Sequence, residues 1–156
     1  MKTLQVSVPR QEAYLIEENQ ITWSFPISTS RFGLGPEEGS NRTPLGQFRI
    51  CEKYGGRSAL GTIFQGRKAT GVWTPDEKTD ADLVLTRILR LESTEKGLEN
   101  TYSRYIYFHG TNQESLLGSP SSHGCIRVSN KNAVKLYSLV SVGTFVNIFN
   151  ENSTIS

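Results

Sequence analysis

The sequence predicts a mostly β domain with one principal α-helix, on three observations. Apolar residues alternate with polar ones over short runs, and glycine, proline and asparagine punctuate those runs every few residues. Helical spacing is convincing in one segment, directly after Cys125. Together they describe a curled mixed sheet or a sandwich with a main helix after the cysteine.

Strand periodicity opens the chain in Leu4-Gln5-Val6-Ser7-Val8 and returns in Ala13-Tyr14-Leu15-Ile16. Glu17-Glu18-Asn19-Gln20 reads as a hairpin turn into Ile21–Ser28, where Pro26 argues for an edge strand or a bulge, since proline donates no ladder bond. Residues 31–43 read as a long exposed loop able to shape a site. Gln47–Cys51 follows as a strand, with Cys51 as a small core residue. Residues 55–78 are irregular and rich in glycine and basic side chains, which predicts short strands plus a lid. Arg67, Lys68 and Trp73 in that stretch belong to no motif, and solvated loop residues and an aromatic core anchor are their plainest readings.

Ala81–Glu92 suits a buried strand by its β-branched and leucine content, although its length would allow a helix. Arg104–Phe108 is an aromatic and β-branched strand ending at His109-Gly110. Ser129 can cap a helix whose apolar face is Ala133, Leu136, Tyr137 and Val140, with Gly143 as its stop. Thr144–Phe149 is a closing strand, and the tail from Asn150 is polar and expected to fray.

With 156 residues, 36% apolar and 21% charged, the chain is expected to fold as one domain over residues 1–156. A net charge of +2 with scattered basic residues argues against nucleic acid as a partner. The alternating first residues show no signal peptide, and no window approaches the roughly 18 apolar residues of a membrane span.

The two cysteines, Cys51 and Cys125, could form a disulfide, but a bridge would consume Cys125, whose surroundings point to chemistry. A thiol becomes a strong nucleophile as thiolate, favoured by a neighbouring imidazolium or a helix N-terminus. His123 is two residues away, and His109 ends a strand one loop earlier, where the Gly110 carbonyl or another polar group could orient it. Gly124 would let a substrate carbonyl approach the backbone N–H groups that could form an oxyanion hole. A buried inert cysteine with two structural histidines is the bland alternative. Zinc held by Cys125, His109 and His123 is disfavoured by their spacing and by the lack of a second nearby cysteine. No metal or other cofactor is expected.

His109-Gly110-Thr111, Ser122-His123-Gly124-Cys125-Ile126-Arg127 and, upstream, Thr43-Pro44-Leu45-Gly46-Gln47-Phe48 resemble motifs of the YkuD-type L,D-transpeptidase catalytic domain of bacterial cell-wall enzymes. Ile27-Ser28-Thr29-Ser30 resembles the strand before them, and the likeness runs from about Leu4 to Phe149. It implies a mostly β fold around a groove, with Cys125 as nucleophile, His109 as base and the Gly110 carbonyl as orienter. It further implies an oxyanion site of backbone N–H groups around His123, Gly124 and Cys125, alongside Ser122. Arg127 would support the loop, meet a substrate carboxylate or form a structural ion pair.

The implied reaction belongs to peptidoglycan biosynthesis. The thiolate attacks the bond between an L-diamino acid centre and terminal D-alanine of a tetrapeptide stem. D-Alanine leaves, and an acceptor amine resolves the thioester. Water as acceptor, giving an L,D-carboxypeptidase or cross-link hydrolase, and a non-catalytic wall-binding module are the alternatives. Stem peptides are the implied partners and the cell envelope or periplasm the implied location, with the cytoplasm left open by the missing signal. Asn132 stands where the family commonly has aspartate.

Overall fold

The computed structural model describes residues 1–151. β1 (Lys2–Ser7), β2 (Glu12–Glu17) and β3 (Gln20–Pro26) form an antiparallel meander. The β2–β3 turn is tight because Glu18 and Asn19 both adopt positive φ, 52° and 64°, the geometry of a two-residue hairpin loop. β3 is an edge strand, and Pro26 ends it where no further ladder bond is needed.

β4 (Gly46–Tyr54), β5 (Thr62–Gln65), β6 (Lys68–Val72), β7 (Val84–Glu92), β8 (Tyr107–Gly110), β9 (Ile126–Val128) and β10 (Phe145–Phe149) complete a ten-stranded mixed sheet. Its order is β3-β2-β1-β10-β4-β7-β5-β6, with β8 joining β7 and β9 joining β8. The last strand is inserted between the first and the fourth, parallel to β1 and antiparallel to β4. The sheet curls until Ser28, just after β3, bridges Arg127 of β9.

The strand preference for residues 81–92 holds, with ordered pairing from Val84. The strand expected at Arg104–Phe108 begins instead at Tyr107. Residues 98–105 are spent in turns, and the Tyr105 N–H bonds back to the Tyr102 carbonyl at 3.1 Å. β9, directly after the cysteine, was not foreseen, being three residues long.

Cys51 is not a core residue. It sits where the β4–β7 register shifts between Ile50 and Glu52, is half-buried, and donates to the Arg90 carbonyl at 3.4 Å. A bulge turns a side chain away from the face that the alternation assigns to it. Both cysteines are free. Residues 55–78 contain the β5–β6 hairpin, with Trp73 half-buried and its backbone N–H on the Gly61 carbonyl.

α1 (Asn130–Leu139) packs on β7 and β8. Ser129 caps it by accepting the Asn132 N–H at 3.1 Å, so the cap comes from the serine hydroxyl and residue 132 supplies only backbone. The helix ends before Gly143: Val140 leaves the helical region, and Gly143, at φ 99°, makes the later turn into β10. The expected fraying tail lies largely outside the described residues. The main core joins both halves of the sheet to the helix through Leu4, Phe25, Ile50, Phe108, Ile126 and Leu136. Among the described residues no helix is long and apolar enough to cross a membrane.

Candidate active site

β8 and β9 lie parallel, with Phe108 opposite Ile126 and His109 opposite Arg127. Phe108 and Ile126 are fully buried in the main core. Alternation therefore turns Tyr107, His109 and Arg127 to the other face. Cys125, one residue before β9, falls on that face and packs against the cluster of Phe64, Ile88 and Tyr107.

His109 is 2% exposed, and its Nδ1 lies 2.6 Å from the Gly110 carbonyl oxygen. A carbonyl can only accept, so Nδ1 carries the proton and the neutral ring keeps a lone pair on Nε2. Burial pushes the ring's pKa below its ordinary value, outweighing the Gly110 carbonyl and the Asp82 charge, which favour protonation.

Cys125 is half-buried, and its thiol donates to the Tyr105 carbonyl at 3.2 Å. Desolvation pushes its pKa up to about 12, against the opposing pull of the Tyr107 backbone and of Arg127 and Arg104. At rest the thiol and the imidazole are thus both neutral. The expectation of a thiolate favoured by a helix N-terminus does not hold, because β9 separates Cys125 from α1 and the Asn130 N–H goes to the Glu114 carboxylate at 2.9 Å.

The loop carrying the cysteine is braced from within and from behind. The Ser122 hydroxyl donates to the Cys125 carbonyl at 2.6 Å and accepts the Gly124 N–H at 3.2 Å. Gly124 has φ +122°, a conformation that favours glycine. Its carbonyl accepts the Thr43 hydroxyl at 3.0 Å, and Thr43 in turn accepts the Ser30 N–H at 3.0 Å. Residues 31–43, read as exposed, therefore end in a fully buried threonine. The Arg104 guanidinium ties the same loop down through the Arg42 carbonyl at 2.7 Å.

Arg127 is 1% exposed and meets Asp82 at 2.7 Å, with a further bond to the Ser121 hydroxyl at 3.1 Å. Of the three readings open for it, this geometry is a buried ion pair that supports the loop. His123 is the more exposed histidine, and its Nδ1 lies 2.9 Å from the other Asp82 oxygen. Burial raises the Asp82 carboxyl, but attraction to His109 when that ring is protonated, the Arg127 charge and the His123 and Arg127 contacts hold it below its ordinary value.

Asp82 was missed by sequence reasoning, as was Asn130. Asn130 accepts the Thr86 hydroxyl at 2.6 Å and donates to the Thr111 carbonyl at 2.8 Å, fixing the strand end behind His109. No spacing rule links either residue to the cysteine motif. Among the described residues no three His, Cys, Asp or Glu side chains are grouped to hold a metal.

Cys125 and His123 open on a cavity of about 180 Å³ shared with Glu38, Asn41, Arg104 and Tyr105. A larger cavity, about 650 Å³, lies between residues 73–80 and 112–115 and includes neither Cys125 nor His109.

A family model described as YkuD, L,D-transpeptidase catalytic domain, matches residues 1–148. Over 54 residues the chain is 41% identical to YqjB of Bacillus subtilis, a protein named as an L,D-transpeptidase by inference, covering 35% of this chain and 31% of YqjB. Solved structures of similar fold include an L,D-transpeptidase from Xylanimonas cellulosilytica, at 19% identity and TM-score 0.60, covering 95% of this chain and 60% of that one. Another is L,D-transpeptidase 3 from Mycobacterium tuberculosis in complex with a faropenem-derived adduct, at 18% identity and TM-score 0.58, covering 96% and 60%. The chain thus spans three fifths or less of the length of each.

Proposed function

Because this chain belongs to the YkuD family of L,D-transpeptidase catalytic domains, we propose that it is a peptidoglycan L,D-transpeptidase with Cys125 as nucleophile and His109 as base. The observation that carries the reading is the parallel β8–β9 register, which turns both side chains to one face while the Gly110 carbonyl keeps His109 Nε2 unprotonated.

A neutral pair is suited to general-base attack. The thiol proton, directed at the Tyr105 carbonyl in the free protein, passes to His109 Nε2 as Sγ bonds to the carbonyl carbon between the L-diamino acid centre and D-alanine. Negative charge develops on the carbonyl oxygen. The Gly124 N–H is already given to Ser122, so the donors for this oxyanion are the backbone N–H groups of Cys125 and His123. Ser122 acts by holding the Cys125 carbonyl, and Arg127 by anchoring the strand that follows. Protonated His109 returns its proton to the amine of D-alanine as the C–N bond breaks, leaving a thioester on Cys125. An acceptor amine on a second stem then resolves it, with the cell envelope as the setting. Hydrolysis of the thioester by water is the competing outcome.

The test is incubation of the purified protein with a carbapenem and, separately, with disaccharide tetrapeptide, followed by mass spectrometry. The expected results are an acyl adduct on Cys125, released D-alanine and cross-linked product. Folded protein giving neither adduct nor product sinks the proposal. Release of D-alanine without cross-links assigns water as the acceptor.

A further inference from the structure

Asp82 lies in no motif, yet it grips the two residues that straddle the nucleophile: Arg127 at 2.7 Å on one oxygen and His123 Nδ1 at 2.9 Å on the other. With Nδ1 donating to a carboxylate, the neutral His123 ring keeps its lone pair on Nε2. The Phe32 ring lies 5.6 Å from the imidazole centroid, tilted against it. His123 and Cys125 line the same cavity, and Glu38 contributes a carboxylate to it. His109 is 2% exposed, whereas the His123 side chain is 42% exposed, so a charged amine arriving from solvent meets His123 first.

We propose that His123, oriented by Asp82, is the base that deprotonates the acceptor amine in the second half of the reaction. The inference rests on the acyl-transfer reading above. A primary amine acceptor arrives as an ammonium ion, attracted by Glu38. One proton passes from its nitrogen to His123 Nε2, giving an imidazolium paired with Asp82. The freed lone pair bonds to the thioester carbon, and the C–S bond breaks with its electron pair going to Sγ. The second proton shed by the new amide nitrogen returns through His109 to the thiolate, and His123 releases its proton to solvent. Two histidines thus divide the work, the buried one serving the thiol and the exposed one the acceptor.

The experiment compares wild type with H123Q and D82N, separating acylation by a carbapenem or tetrapeptide donor from transfer to two acceptors. One acceptor is a D-amino acid, an ammonium ion at neutral pH. The other is hydroxylamine, already uncharged there. The expected result for both variants is a transfer rate to the D-amino acid lowered by about thirtyfold or more. For H123Q, transfer to hydroxylamine should stay within about threefold of wild type, and acylation should fall far less than D-amino acid transfer. D82N also breaks the ion pair to Arg127, so it is judged by its ratio of D-amino acid to hydroxylamine transfer. H123Q alters an exposed side chain and keeps the fold. D82E, which retains the carboxylate, should recover part of the loss. Equal losses with both acceptors, or an equal loss in acylation, overturn the assignment while leaving the transpeptidase reading intact. No adduct on wild type overturns both.

Discussion

The Thr43 hydroxyl donates to the Gly124 carbonyl at 3.0 Å, joining two segments that lie far apart in the chain. Thr43 is fully buried and also accepts the Ser30 N–H. The peptide that presents Cys125 is thus oriented by a hydroxyl from the opposite end of the site.

Thr43→Val keeps the shape but strands a buried N–H and a carbonyl, which costs about 1–3 kcal/mol. Urea unfolding should register that loss. Carbapenem acylation of Cys125 should slow by roughly tenfold or more as the Gly124–Cys125 peptide tilts. Unchanged acylation in a destabilised protein would limit Thr43 to a role in folding.

Gly110→Ala tests the strand end behind His109, the proposed base. An added methyl group would sit 2.8 Å from the Leu85 carbonyl oxygen and also collide with the Asn130 side-chain oxygen. Because Gly110 pairs with Leu85, β8 must move away from β7, at about 1–3 kcal/mol of overpacking. The carbonyl that orients His109 moves with it, so acylation should fall by about 100-fold. A structure of the variant with His109 Nδ1 still on the residue 110 carbonyl and full activity would contradict this.

Arg127→Met removes one member of a buried ion pair. Breaking such a pair costs about 3–5 kcal/mol, and with Asp82 a quarter exposed the lower end is expected, about 3 kcal/mol by urea unfolding. A loss under about 1 kcal/mol would mean that desolvation of the two charges already cancels their attraction.

Stability should fall at both ends of the pH scale. The His109 pKa is lowered by folding, so below its ordinary value of 6.5 the unfolded chain binds the proton first, and stability drops as pH falls through that value. The Cys125 and Cys51 thiols are raised from 9.0 to about 12 and about 11, so above pH 9 the unfolded chain releases protons that the folded chain keeps. Stability then declines as pH rises from 9 towards 12. Melting temperatures across pH 5–11 should show both limbs, and C51A/C125A should flatten the alkaline one. An alkaline limb identical in the double variant would assign it to other groups.

The same neutral thiol predicts slow alkylation of Cys125 by iodoacetamide at pH 7, with a rate still rising at pH 10. A plateau below pH 8 would instead indicate a thiolate–imidazolium pair.

The amino-acid sequence by itself determined most strands, the Ser129-capped helix and the two side chains proposed to react. Each is written locally, in alternation, in a cap, or in a motif whose residues are neighbours. It also determined breaks at Asn19 and Gly124, residue types that tolerate positive φ.

Tertiary structure alone decided the rest. β9 is too short for periodicity to register, yet its parallel pairing with β8 is what brings His109 and Cys125 to one face. The insertion of β10 between β1 and β4 is a long-range pairing that no local pattern encodes. Asp82 reads as an ordinary surface aspartate until the curled sheet brings it against Arg127 and His123. The ionisation of the cysteine followed the same course: the motif suggested a thiolate, while burial against Phe64, Ile88 and Tyr107 keeps it a thiol. Local chemistry is carried by residue type, but desolvation and pairing depend on which distant segments arrive at the same place.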